Sequence, residues 1–362
     1  MSAAVGNDSP LLSWLIKDLP EPLNQLAMKP EHEVQVLYVQ IEKTAEGHQF
    51  TEHRWHLNKE AYFYPASTVK LPVALFALEK VANMTALVSG RETAMHVPPY
   101  EEAPSSVAED ARQIFLVSDN AAFNRLYSFV NPETIRSRLI DLGLVNTDIV
   151  HALGLDHEPF LNPIRFLEAS GDLLHEETPS WLSSSIGASS EGPRKGIGYF
   201  KLGVLVDKPM NFADKNVFPL AEQQRFLREV FFPNEEGLKL TLEDRKFVQT
   251  LMGQFPREYD GTVNASIREE PDTYVKNFLD WEEQPIRDTL RCYNKSGQAY
   301  GYMIDNAYIV DSEHDMAFFL SAVIHVNANQ IYNDNVYEYD TIGEPFMRAL
   351  GKAIYDHERS RQ

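Results

Sequence analysis

The feature that most constrains this chain is the apolar run Leu71-Pro72-Val73-Ala74-Leu75-Phe76-Ala77-Leu78, headed by the charged Lys70. Such a run reads as a helix sunk in a core. Lys70 then either snorkels to solvent or has its pKa lowered by burial. Ser67 stands three residues earlier, in Tyr64-Pro65-Ala66-Ser67-Thr68-Val69-Lys70. On a helix that spacing puts both side chains on one face, one turn apart. A serine hydroxyl is a weak nucleophile near neutral pH and needs a base beside it. A desolvated lysine can be that base.

Composition narrows the rest. A chain of 362 residues can hold one large domain or two modest ones. Its 43% hydrophobic and 24% charged residues are those of an ordinary globular protein. No stretch approaches the ~18 uninterrupted apolar residues of a membrane helix. A net charge of -20 argues against nucleic acid or an anionic membrane as partner. The single Cys292 cannot form an internal disulfide, and in a strand it reads as an inert core thiol. His53 with His56, and His151 with His157, lack a third ligand, so no metal or other cofactor is expected. Lys195-Gly196-Ile197-Gly198 lacks the third glycine of a phosphate loop and reads as a turn. The first residues, Met1 to Gly6, have neither a basic nor an apolar region, so the given sequence shows no signal peptide.

Along the chain, residues 8–28 contain a helix, and 34–41 and 53–57 read as strands. From Pro65 to about Glu168 the reading is mainly helical, including 108–117, 120–130 and 132–142. Residues 170–215, rich in Gly, Ser and Pro, read as loop with short elements. Amphipathic helices follow at 220–232 and 242–255, and 257–285 is acidic and irregular. The end returns to strands at 289–294, 306–310 and 316–326 and closes on a helix at 342–357.

Two further tripeptides give Ser67 and Lys70 a setting: Ser118-Asp119-Asn120 after a helix, and Lys295-Ser296-Gly297 in an alternating strand. Taken alone, the first suits a helix cap and the second a strand end with a bulge. Together S-x-x-K, S-D-N and K-[ST]-G, in that order, are the signature of class A β-lactamases and penicillin-binding proteins. The chain resembles a class A β-lactamase-like serine hydrolase from about residue 35 to its end, with extra sequence in the middle. The resemblance implies an α/β fold of the α+β type, β-lactamase/transpeptidase-like, with an antiparallel sheet, flanking helices and an all-helical subdomain. Residues 1–64 and 286–362 would form the sheet subdomain. Residues 65–285 would form the helical one, with insertions at about 170–215 and 257–285.

The resemblance also implies roles. Ser67 is the nucleophile, Lys70 its base or proton shuttle, and Ser118 the carrier of a proton toward the leaving nitrogen. Asn120 holds the substrate's side-chain amide. Lys295 and Ser296 receive a substrate carboxylate. The backbone N–H groups of Ser67 and of Gln298, just after Gly297, form the oxyanion hole. Release of the acyl group implies the pattern E-x-x-L-N, matched by Glu158-Pro159-Phe160-Leu161-Asn162, forty residues after Ser118. Glu158 would activate water with Asn162 in support, although Asn162-Pro163 equally suits a helix start. One departure bears on substrate: Asp305-Asn306-Ala307 occupies the stretch where the family often has an arginine.

The expected substrate is a β-lactam or a peptidoglycan-like peptide, with antibiotic resistance as the associated biology. A D-alanyl-D-alanine carboxypeptidase or esterase, or a stably acylated penicillin-binding sensor, is the alternative. The resemblance implies a periplasmic or secreted protein, and it fixes no oligomeric state.

Overall fold

The computed structural model describes residues 8–98, 104–155, 163–178, 192–261 and 265–362. In chain order the first helices are α1 (Pro10–Lys17) and α2 (Leu23–Ala27), followed by strands β1 (Gln35–Thr44) and β2 (Gly47–Trp55). A single 3-10 turn, Ala66–Val69, leads into α3 (Lys70–Ala82). After the short β3 (Ala94–His96) come α4 (Val107–Val117), α5 (Asn120–Val130) and α6 (Pro132–Asp141). Six short strands follow: β4 (Ile164–Leu167), β5 (Leu173–Glu177), β6 (Arg194–Lys195), β7 (Gly198–Lys201), β8 (Val204–Val206) and β9 (Met210–Asn211). The last part holds α7 (Leu220–Phe231), α8 (Leu242–Gly253), β10 (Leu290–Ala299), β11 (Tyr302–Asp311), β12 (Met316–His325), β13 (Ile331–Tyr332) and α9 (Glu344–Ser360).

The chain divides into two compact units. The first joins residues 1–68, 189–227 and 271–362; the second joins 69–188 and 228–270. Beside 1–64 and 286–362, this sheet-bearing unit takes in 65–68, 189–227 and 271–285.

The first unit is built on a five-stranded antiparallel sheet in the order β10-β11-β12-β1-β2. Strand β1, paired on either side with β12 and β2, is buried over its first six residues, Gln35 to Gln40. The β10–β11 hairpin closes through Tyr300 and Gly301, both at positive φ (55° and 78°). Two consecutive left-handed residues make the turn whose twist matches the flanking strands. This hairpin fixes Lys295 opposite Asn306, and Ser296 opposite Asp305. Helix α9 belongs to this unit. At Gly351 an added Cβ would lie 2.2 Å from the Phe278 carbonyl oxygen, so only glycine permits so close a backbone approach.

The second unit is mainly helical, with α3 at its centre and every residue from Lys70 to Glu79 buried. The expected α+β fold class is observed. The mainly helical reading of 65–168 agrees with α3 to α6, but it passed over the short β3 and β4, which with β5 form a three-stranded sheet. With only three to five residues each, these strands carry too little periodicity to be read from sequence. The helix expected within 8–28 is α1, and a second short helix, α2, follows it after Pro20 and Pro22. Among the described residues, no helix is long and apolar enough to cross a membrane.

Candidate active site

In the second unit the site forms around Lys70. Its side chain is 0% exposed at the head of the apolar helix α3. Nζ donates to Asn120 Oδ1 at 2.7 Å, to Ser118 Oγ at 3.3 Å and to the Ser118 carbonyl oxygen. Desolvation pulls its pKa down to about 7, against the opposing charge of Asp119. A lysine in that state exchanges its proton readily near neutral pH.

The acceptors come from the junction of α4 and α5. Helix α4 ends on Ser118, which adopts the left-handed conformation at φ 56°. Asp119 then caps α5, its carboxylate accepting from the Ala122 N–H at 2.7 Å, and Asn120 begins that helix. The capping and functional readings of Ser118-Asp119-Asn120 are therefore compatible. The cap geometry aims Ser118 and Asn120 at Lys70. The junction is braced by Asp110 on α4 and Arg125 on α5, whose Nε donates to both carboxylate oxygens at 3.0 and 3.1 Å. Asp110 is wholly buried, and burial pushes its carboxyl up to about 6 although Arg125 and Ser105 pull it down.

Asn124, one turn after Asn120, exchanges two 2.9 Å hydrogen bonds with the Leu153 backbone. At Gly154, with φ +67°, an added Cβ would stand 3.1 Å from Asn120 Nδ2. Residues 151–155 are thus pinned against α5 immediately before Asp156. Glu158 and Asn162 lie outside the described residues.

In the first unit, Ser67 is the only residue from Phe63 to Thr68 that is not buried. Ala66 before it takes a left-handed φ of 48°, and Thr68 Oγ1 donates to the Pro65 carbonyl at 2.7 Å. Edge strand β10 runs past this turn. A Cβ on Gly297 would fall 2.6 Å from the Ser67 nitrogen and 3.2 Å from the Thr68 nitrogen. Glycine is required there because strand and turn meet backbone to backbone. Lys295 and Ser296 are buried, with Lys295 Nζ donating to the Ser296 carbonyl at 2.8 Å, while Gln298 is exposed.

The structure therefore groups Lys70, Ser118 and Asn120 in one unit, and Ser67 with Gly297 in the other. Sequence reading missed Asp110, Arg125 and Asn124. Only Asn124 left a signal, at helical spacing of four from Asn120. Cys292 is buried, and burial pushes its thiol well above the ordinary value, as expected of an inert core residue. Among the described residues, Asp311, Glu313 and His314 are close enough together to consider a metal ion. However, Asp311 already accepts from Arg287 at 2.8 Å and from the Tyr355 hydroxyl at 2.5 Å, which is an internal ion-pair network.

Comparison with known proteins bears on the fold and on the first half of the chain. Residues 19–165 match the model of the Beta-lactamase enzyme family, a span that includes Ser67, Lys70 and Ser118-Asp119-Asn120. No curated protein matches the chain in sequence. Among solved structures, a β-lactamase from Burkholderia phymatum is 14% identical with a TM-score of 0.50, covering 91% of this chain and 95% of its own. L2 complexed with relebactam is 16% identical with a TM-score of 0.50, covering 94% of this chain and 98% of its own. At such identities the likeness establishes the fold. The fold, and the resemblance carried by residues 19–165, are those of enzymes of the serine β-lactamase type.

Proposed function

We propose that the protein is a serine hydrolase that forms an acyl-enzyme on Ser67, with β-lactams or related amides as substrates. The observation that carries this is the buried Lys70, brought to a pKa of about 7 and hydrogen-bonded to Ser118 and Asn120. Burial of that kind is costly for a purely structural lysine and suits a proton carrier.

In this reading Ser67 Oγ attacks the substrate carbonyl, and its proton passes to Lys70 Nζ. The C–N bond of the tetrahedral intermediate then breaks, and the proton reaches the leaving nitrogen through Ser118 Oγ. The Ser67 N–H and the N–H of Gln298 receive the developing oxyanion, where loss of one donor typically costs ~10²–10³ in rate. The close pass of Gly297 over the Ser67 nitrogen supports that role for the strand. Asn120 orients the substrate amide, and Lys295 with Ser296 binds its carboxylate. Glu158, assisted by Asn162, activates the water that releases the acyl group. A site working on these lines belongs to a class A-like enzyme acting in the periplasm or outside the cell.

The test uses purified protein, a chromogenic cephalosporin and mass spectrometry at seconds and at one hour. Turnover without a lasting adduct supports the hydrolase, and Glu158→Gln should then trap the acyl form. A stable adduct favours the peptidase, esterase or sensor alternative. Ser67→Ala should abolish every adduct; labelling that survives it would refute the assignment.

A further inference from the structure

A second buried lysine stands behind the Lys295-Ser296-Gly297 strand. Lys276, 0% exposed, comes from the segment ahead of β10. Its Nζ donates to the Cys292 carbonyl at 2.8 Å and to Asn294 Oδ1 at 3.2 Å. Asn294 passes the connection on, its Nδ2 donating to Asp305 Oδ1 at 2.8 Å and to the Val275 carbonyl at 2.6 Å. Asp305 is also 0% exposed, and its Oδ2 accepts no hydrogen bond among the described residues.

Strand alternation explains the arrangement. Asp305 pairs with Ser296, and Asn306 with Lys295. Asn294, Ser296 and Asp305 therefore share one face of the sheet, while Lys295 and Asn306 share the other. A carboxylate thus lies one strand from Lys295, within reach of its field in a dry interior. Both the Lys276 and Lys295 charges act on the Asp305 carboxyl, opposing the burial that raises it.

We propose that Lys276, bridged to Asp305 by the Asn294 amide, is a positioning residue that offsets the Asp305 charge, so that Lys295 presents its positive charge to an anionic substrate. The inference rests on the serine hydrolase reading above and adds to it a determinant of charge selectivity. The logic is electrostatic. Two lysines and one carboxylate leave a net positive charge for the substrate. Without Lys276, the Asp305 anion draws on Lys295 and repels the incoming carboxylate.

The experiment compares wild type, Lys276→Met and the double variant Lys276→Met/Asp305→Asn at about pH 8, where Asp305 is ionised. Each is assayed with a carboxylate-bearing chromogenic cephalosporin and with an uncharged p-nitrophenyl ester. Lys276→Met should raise KM for the cephalosporin roughly tenfold, with kcat and the ester kinetics unchanged. The double variant should return that KM to near the wild-type value, because the charge that Lys276 offset is gone. An equal loss on both substrates, or a double variant no better than the single, would mean a structural role and overturn the proposal. Should Lys276→Met fail to fold, the near-isosteric Asp305→Asn decides. It should lower KM for the anion or leave it unchanged, and a rise overturns the proposal. If wild type processes neither substrate, the hydrolase reading fails first and this inference with it.

Discussion

Lys70 and Gly297 each make a prediction at the scale of a single side chain. With its pKa drawn down to about 7, Lys70 is mostly an ammonium below neutrality and mostly a free amine above it. In the proposed reaction Lys70 accepts the Ser67 proton, and a base must be unprotonated to do so. The acylation rate should therefore climb as pH rises through about 7 and level off above it. Single-turnover acylation from pH 5 to 9 measures this; a flat profile, or one falling over that range, would remove Lys70 from the role. Lys70→Arg keeps the charge but cannot lose it near neutrality, so acylation should fall by at least ~10². Gly297 tests geometry instead of charge. Gly297→Ala adds a methyl 2.6 Å from the Ser67 nitrogen, in contact with backbone that cannot swing aside. Overpacking of this kind costs about 1–3 kcal/mol. Urea unfolding should show that loss together with a steep drop in acylation, whereas normal acylation would mean the strand does not line the reacting centre.

Among elements, the α4–α5 junction matters most, and its brace is the Asp110–Arg125 pair. Removing one partner of a buried pair costs about 3–5 kcal/mol when the other is left charged. Asp110 can partly escape that cost by taking a proton, since burial already holds it near 6, above its unfolded value of 3.8. A folded pKa raised above the unfolded one means that the native state binds more protons, so stability falls as pH rises. Arg125→Met should therefore destabilise the protein far more at pH 8 than at pH 5.5, as urea midpoints at the two pH values would show. Equal losses would mean that the pair carries no charge-dependent stability.

The same junction shows what the sequence could disclose. Ser118-Asp119-Asn120 was legible because its residue types serve twice, Asp119 as the α5 cap and Ser118 with Asn120 as acceptors for Lys70. Helix α3 was legible because eight apolar residues in a row must be buried. The Asp110–Arg125 brace, the Asn124 clamp and the Lys276–Asn294–Asp305 bridge were not. They join residues whose proximity depends on helix crossings and strand register, which no local pattern records. The strands β3 to β5 escaped for the related reason that their pairing is non-local while each strand is too short to alternate visibly.

At the scale of the whole molecule, the 53 acidic and 33 basic residues leave a net charge of -20. Many of the carboxylates are paired, among them Asp244 with Arg91 and Glu79 with Arg138. The surplus has no cation to meet and repels itself in the compact state more than in the expanded one. Salt at about 0.1 M shortens the range of that repulsion to ~10 Å, while buried pairs such as Asp110–Arg125 are screened much less. The balance favours the folded chain, so Tm at pH 8 should rise as sodium chloride increases from about 10 to 200 mM. At pH 5.5 the gain should shrink, for two reasons acting in the same direction. Fewer carboxylates are ionised, and Asp110 and Asp305, each raised by burial to about 6, hold protons in the native state that the unfolded chain releases. Calorimetric scans over this grid of salt and pH would check both signs. A Tm that falls with salt at pH 8 would show that surface ion pairs, and not the acidic surplus, dominate the electrostatics of the fold.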